Sequence, residues 1–248
     1  MFRSRRLPDN SQLTLPQTKR ALPNSGVKST ELTNALKFII HFLGDIHQPL
    51  HDEALEVGGN DISVTYSGKT TNLHHIWDTE IPEQKVGGYA LTDAKSWATT
   101  LTTAIKSGTY KSAAAGWLDG MDISDPVSSS MVWASDTNAY VCSVVIPKGV
   151  SAVETGDLST TYYNSVVNTV ELQIAKAGYR LAAWLNLMAT GSTGLKMSKR
   201  EEEGLKLLSH RVSRPMSIER EVREESRAQL ARRAMGGGCG CGPEDHAH

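Results

Sequence analysis

Apolar positions recur at helical spacing in several stretches of the chain and alternate in one. Leu32, Leu36, Ile39, Ile40 and Leu43 predict a helix over residues 30–46, stopped by Pro49. In residues 57–66 a Gly-Gly turn leads into Ile62, Val64 and Tyr66, which alternate with polar residues. That pattern predicts a short strand or hairpin arm, turned by Ser67-Gly68. NLHHIWDT, residues 72–79, reads as the first turns of another helix. Ala94, Trp97, Leu101, Ala104 and Ile105 share one face of a helix over 92–107, with Thr92-Asp93 at its start. Pro126 opens a further helix across 126–145. The longest stripe is Tyr163, Val166, Val167, Val170, Ile174, Ala177, Leu181, Trp184 and Met188. It predicts a helix over 160–189, ending before Gly191. Trp77, Trp97, Trp133 and Trp184 fall on these stripes and are read as core.

The two ends differ in character. Residues 1–28 are rich in Pro, Ser, Asn and basic residues without periodicity, and are read as a disordered or misassigned segment. Residues 29–191 form an all-α domain with a small β excursion. Residues 192–248 are a tail, dominated over 198–233 by Arg, Glu, Lys and Ser, that is either helical or disordered. The formal net charge of −1 argues against a protein that coats nucleic acid generally, but not against an enzyme that grips phosphate through metal ions. No apolar run approaches the ~20 residues of a membrane span, so no membrane partner is expected. The basic N-terminus lacks the apolar stretch of a secretory signal. Three cysteines, Cys142, Cys239 and Cys241, cannot all pair internally, and no disulfide framework can be read from them.

The informative chemistry is a cluster of histidines. Five of the eight lie between residues 41 and 75, in HFLGDIHQPLH and NLHHIWD. His41 and Asp45 are four apart on a predicted helix, so they project from one face. His74 and Asp78 repeat the spacing on a second helix, and His51 follows the Pro49 break, where the chain can turn back. Two helical faces presenting His and Asp can hold metal ions in a bundle core. Imidazole with carboxylate favours zinc, and paired ions can clamp both oxygens of an in-line phosphoryl displacement. One such pair alone would be an ordinary surface feature; the five residues together carry the reading. His47 and His75 point off these faces, toward supporting or surface roles. Asp52 either orients the His51 imidazole or is an exposed acid.

ALKFIIHFLGDIHQPLHDE, VGGNDI and NLHHIWD closely resemble the zinc-dependent single-strand-specific nucleases of fungi and plants. GGYALTDAKSWATTL, SDPVSSSMVWASDTNAYVC and TGDLSTTYYNSVVNTVELQIAKAGYRLAAWLN agree, so the likeness covers about residues 31–190. It implies a helical phospholipase C/nuclease fold holding three zinc ions in a cleft. It also implies hydrolysis of single-stranded DNA and RNA to 5′-phosphate products, 3′-nucleotidase activity, a monomer and secretion. By position, His41 and Asp45 match ligands of a closely spaced metal pair, with Asp45 bridging. His51, His74 and Asp78 match the protein ligands of the remaining zinc. Asn60 matches a residue lining the nucleotide cleft. Lys69 stands where fungal members place a base-stacking aromatic, and could meet phosphate instead.

The departure lies upstream. Family members supply an N-terminal Trp, a following His, and a downstream Asp and His to the paired site, all before the helix that bears His41. This chain has no histidine before His41, and its first 28 residues are too few to supply that segment. The expectation is a domain truncated at its N-terminus that retains one zinc and keeps only two ligands of the paired site. The rival readings are a non-catalytic zinc- or nucleotide-binding remnant, a zinc phosphodiesterase of the phospholipase C type, or an interaction protein built on the tail. Cys142 matches a family disulfide cysteine whose partner belongs to the missing region, so a free thiol is expected.

Overall fold

A computed structural model of the protein describes residues 28–195. All of them belong to the first of two units, Met1–Met197 and Ser198–His248. The expectations for residues 1–27 and 196–248 therefore fall outside the described residues. The described part is helical, with one two-stranded sheet, as the periodicity predicts.

Helix α1, Ser29–Asp45, buries Ala35, Ile39 and Leu43, one residue per turn. These pack with Ile46 against Trp133, Trp184 and Met188. Trp133 and Trp184 meet edge to face, with centroids 5.5 Å apart, a favourable arrangement of ring quadrupoles. Ile40, expected on the buried stripe, instead faces outward together with Phe38. Both lie off the line traced by 35, 39 and 43.

After α1 the chain makes a 3₁₀ turn, Pro49–Asp52, and a left-handed turn, Glu56–Gly59. Strands β1, Ser63–Tyr66, and β2, Lys69–Asn72, then pair antiparallel, Val64 opposite Thr71. Ser67 and Gly68 both have positive φ, 50° and 77°, as a tight hairpin requires. The Asp157 carboxylate accepts their two N–H groups at 3.0 and 2.7 Å, tying the hairpin to a distant loop. Residues 73–86 run on as one helical stretch: α2, Leu73–His75, a π segment, Ile76–Glu80, and α3, Ile81–Val86. The reading of residues 72–79 as the first turns of a helix agrees with this, and the π segment within it was not expected.

Helix α4, Leu91–Lys106, lies close to its expected span. Helix α5, Pro126–Tyr140, is capped by Asp125, whose carboxylate accepts the Ser128 N–H at 3.0 Å. It widens into a second π segment over Val141–Val145 rather than continuing as α-helix. Cys142 lies in that segment and is disulfide-bonded, which corrects the expected free thiol. Helix α6, Val150–Val153, is a single turn, and α7, Thr161–Thr190, is the spine of the domain. Trp77, Trp133 and Trp184 are buried as predicted, and Trp97 is half-buried.

The middle of α7 departs from the apolar stripe. Ile174 is exposed, while Gln173, Lys176 and Arg180 point into the core. The reason is a polar hub. Asp136 on α5 accepts from Lys176 Nζ at 2.9–3.0 Å and from an Arg180 nitrogen at 3.0 Å. Burial alone would raise Asp136, but these two cations outweigh it and hold the carboxyl below its usual range. Arg180 also donates to the Trp117 carbonyl at 2.8 Å and to His47 Nε2 at 2.9 Å. His47 is buried, and its Nδ1–H donates to the Leu43 carbonyl at 2.7 Å. That bond and the Arg180 donor together assign the neutral Nδ1–H tautomer.

Burial, reinforced by the Arg180 charge, lowers His47 from 6.5 to about 3. The unfolded chain therefore holds the extra proton between these values. This contribution to stability is complete above about pH 6.5 and is lost as pH falls. Between pH 6.5 and 4 the wild type should lose up to ~1.4 kcal/mol per pH unit from this group. His47→Gln should flatten that part of the profile, as read by urea unfolding of metal-free protein at stepped pH.

Candidate metal centre

Four short elements bring the predicted ligands together. His41 and Asp45 end α1, one turn apart, with His41 Nε2 3.3 Å from an Asp45 oxygen. The 3₁₀ turn then swings His51 back, so that its Nδ1 is 3.7 Å from the other Asp45 oxygen. His51 Nε2 faces Asp78 Oδ1 at 3.2 Å, and His74 Nε2 faces Asp78 Oδ2 at 3.2 Å. The two imidazoles stack with centroids 4.9 Å apart and planes 12° from parallel. One donor atom from each of His51, His74 and Asp78 lies within 4.8 Å of the others.

These donors fit zinc. Two donors of a tetrahedral zinc, each bonded at 2.0–2.1 Å, stand about 3.3 Å apart, close to the 3.2 Å found between each imidazole and Asp78. Both rings present nitrogen, and Asp78 is strongly disposed to ionise. Burial alone would raise the Asp78 carboxyl, but hydrogen bonds from His51, His74 and Gln48 outweigh it and hold it far below its usual range. His74 is raised by its bond to Asp78, against the opposing effect of burial.

Supporting groups fix their orientation. The Gln48 side chain accepts the Leu50 N–H at 2.5 Å through its oxygen and donates to Asp78 Oδ1 at 3.0 Å through its nitrogen. His74 Nδ1 meets the Gly58 carbonyl at 2.7 Å. Asn138 on α5 donates to the Asp52 carbonyl at 2.9 Å, bracing the turn that bears His51. The π segment containing Asp78 widens the helix where it must present a carboxylate to two imidazoles; such segments recur at functional sites.

Other predicted residues stand apart. Asn60 is exposed and donates to the Val57 carbonyl at 2.9 Å, one residue beyond the left-handed turn. Lys69 is exposed at the start of β2, opposite Tyr66, and its ammonium makes no ion pair among the described residues. The hairpin turn borders an open polar groove of about 480 Å³ lined by Tyr66, Ser67, Glu80, Glu83 and Gln84; Lys69 does not line it. His47 belongs to the core hub, and His75 is surface, 3.6 Å from Glu80. Asp52 is neither of its two expected things. Burial, with the Asp45 charge beside it, pushes its carboxyl up to about 8, and one oxygen is buried without a hydrogen-bond partner in the structure. Gln48 and the Gly58 carbonyl were missed in the sequence reading. A glutamine beside a ligand loop is a faint signal, and a main-chain oxygen gives none.

The S1/P1 nuclease family profile matches residues 11–190. The chain is 59% identical to nuclease S1 of Aspergillus oryzae over 161 residues, 65% of this chain and 56% of that protein. It is 55% identical to nuclease P1 of Penicillium citrinum over 163 residues, 66% of this chain and 60% of that one. Endonuclease 2 of Arabidopsis thaliana is 33% identical over 172 residues, 62% of this chain and 51% of that one. The chain thus spans little more than half the length of the relatives it matches.

Binding to the folded state alone stabilises by mass action, about 2.7 kcal/mol at a hundredfold excess over Kd. Zinc should therefore raise the melting temperature of the purified chain, and a chelator should reverse the rise. His51→Ala or His74→Ala should remove the zinc-dependent shift, whereas His41→Ala should leave most of it. Thermal melts with and without zinc check this.

Proposed function

This chain belongs to the S1/P1 nuclease family, and on that premise we propose that it derives from an enzyme that hydrolyses phosphodiester bonds of single-stranded DNA and RNA. The products are 5′-phosphates, and 3′-nucleotides are further substrates. The observation that carries the reading is the convergence of His51, His74 and Asp78 on one point within a family whose named members are nucleases. Zinc bound there would supply a Lewis acid for the charge of a transferring phosphoryl group. His51 and His74 offer nitrogen lone pairs, and Asp78 offers an ionised oxygen. Gln48 keeps that carboxylate turned toward the imidazoles. Asp45, with one oxygen toward His41 and the other toward His51, stands where a carboxylate shared by two ions would stand. Asn60 and Lys69 serve as polar contacts for nucleotide and phosphate.

A second reading is favoured by one feature. Among the described residues, only His51, His74 and Asp78 form a group of three or more close donors. His41 and Asp45 supply two donors of a paired site. In this reading the chain is a zinc- or nucleotide-binding remnant without catalysis.

Zinc content and cleavage of single-stranded DNA, measured on one sample, separate the two. Near three ions per chain, with chelator-sensitive cleavage abolished by Asp45→Asn, is the outcome expected of the enzyme. About one ion, lost in His74→Ala, with no cleavage, is the outcome expected of the remnant.

A further inference from the structure

Four consecutive residues between the 3₁₀ turn and the hairpin have positive φ: Glu56 at 47°, Val57 at 57°, Gly58 at 66° and Gly59 at 79°. Single left-handed residues are common at turns, but a run of four is not, and a β-branched residue in this region is a steric outlier. Val57 is 62% exposed, so burial of its side chain does not hold it there. The strain is kept by what surrounds the two glycines. A Cβ on Gly58 would stand 2.7 Å from the Leu50 carbonyl oxygen, 3.3 Å from that of Glu53 and 3.7 Å from His74 Nδ1. One on Gly59 would stand 3.3 Å from the Leu50 methyls and 3.5 Å from the His74 backbone nitrogen. The turn is thus wedged, backbone against backbone, between the segment that carries His51 and the helix start that carries His74.

We propose that the left-handed turn Glu56–Gly59 is a positioning device for the metal centre, acting through the Gly58 carbonyl and through the spacing of His51 from His74. The proposal rests on the zinc reading above and assigns the turn's part in it. The Gly58 carbonyl, 2.7 Å from His74 Nδ1, can only accept, so it requires a proton on Nδ1 and leaves Nε2, on the side of Asp78, as the ring nitrogen that can give up its proton to a metal ion. The absence of a Cβ at Gly58 lets the turn seat against Leu50 and Glu53, the flanks of His51, and so sets the separation of the stacked rings. Backbone strain of this kind persists only where neighbouring structure over-determines it, and it concentrates at functional sites.

The test compares the wild type, Gly58→Ala and Val57→Gly. Zinc affinity is read by competition with a chromogenic chelator, and the His74 ring nitrogens by ¹⁵N spectra of the zinc-loaded chain. Gly58→Ala should weaken zinc binding by about 10- to 100-fold, the range typical of lost outer partners. Val57→Gly relieves the strain but keeps the carbonyl, so zinc affinity should hold while the melting temperature rises. In the wild type, His74 should carry its proton on Nδ1 and bind through Nε2. Unchanged affinity in Gly58→Ala, or an equal loss in Val57→Gly, would overturn the positioning role. If Gly58→Ala does not fold, the wild-type spectrum decides, since zinc on Nδ1 is incompatible with the Gly58 bond. A wild-type chain that binds no zinc overturns the reading of the site itself; a zinc-binding wild type with an unmoved Gly58→Ala overturns only the turn's role.

Discussion

Arg180 is the constraint on which the rest of the domain leans. Its guanidinium, buried at mid-length on the longest helix, reaches three separate parts of the chain: the Trp117 carbonyl, Asp136 on α5 and His47 past the end of α1. A planar group with five fixed donors is suited to such a junction, and a lysine in its place would be a single point charge. The cost of burying it is offset because Asp136 is ionised and Lys176 shares the same carboxylate. Gln173, two turns earlier on α7, donates to the His47 carbonyl at 3.3 Å and to Thr137 at 2.8 Å. Residue 47 is therefore held by both its ring and its backbone, between Asp45 and His51. The metal-facing loop inherits its position from this anchoring.

Much of the site was legible in the sequence because its residues follow simple periodicities. His41 with Asp45 and His74 with Asp78 are helical neighbours, and Pro49 marks the bend that returns His51 to them. The hub was not legible. Gln173, Lys176 and Arg180 lie off the apolar stripe in the sequence, and their partners on α5, Thr137 for Gln173 and Asp136 for the two cations, lie some 40 residues away. Ile174 reads as core for the converse reason. The apolar stripe turns both ends of α7 inward, and the pairing of distant charges decides the face at its middle. The π segments escaped too, since a one-residue widening leaves little trace in a hydrophobic pattern. The disulfide at Cys142 could not be read because three cysteines leave the partner undetermined.

Support for the metal centre is divided among groups of different kinds. Gln48 works through an amide orientation set by one neighbouring N–H. Asn138 works from another helix, on a carbonyl beside the His51 turn. Gly58 works through the main chain alone. Asp52 is the exception, a carboxyl pressed into a dry place beside Asp45 with one oxygen unanswered. A nearby cation would relieve it directly, since positive charge favours the ionised form of a carboxyl.

The compactness of the ligand segment bears on how the domain assembles. Asp45 to Asp78 encloses some 34 residues, whereas the hub that anchors it joins residues more than 130 positions apart. Closing the shorter loop costs less chain entropy, although the dependence on length is only logarithmic. The hairpin, the left-handed turn and the two bent segments can therefore meet through nearby contacts while α7 still lacks its partners. Contacts of short sequence separation form fast, and distant ones set the pace. On sequence separation alone, the contacts of the cage belong to the class that closes readily and those that dock α7 to the class that closes slowly.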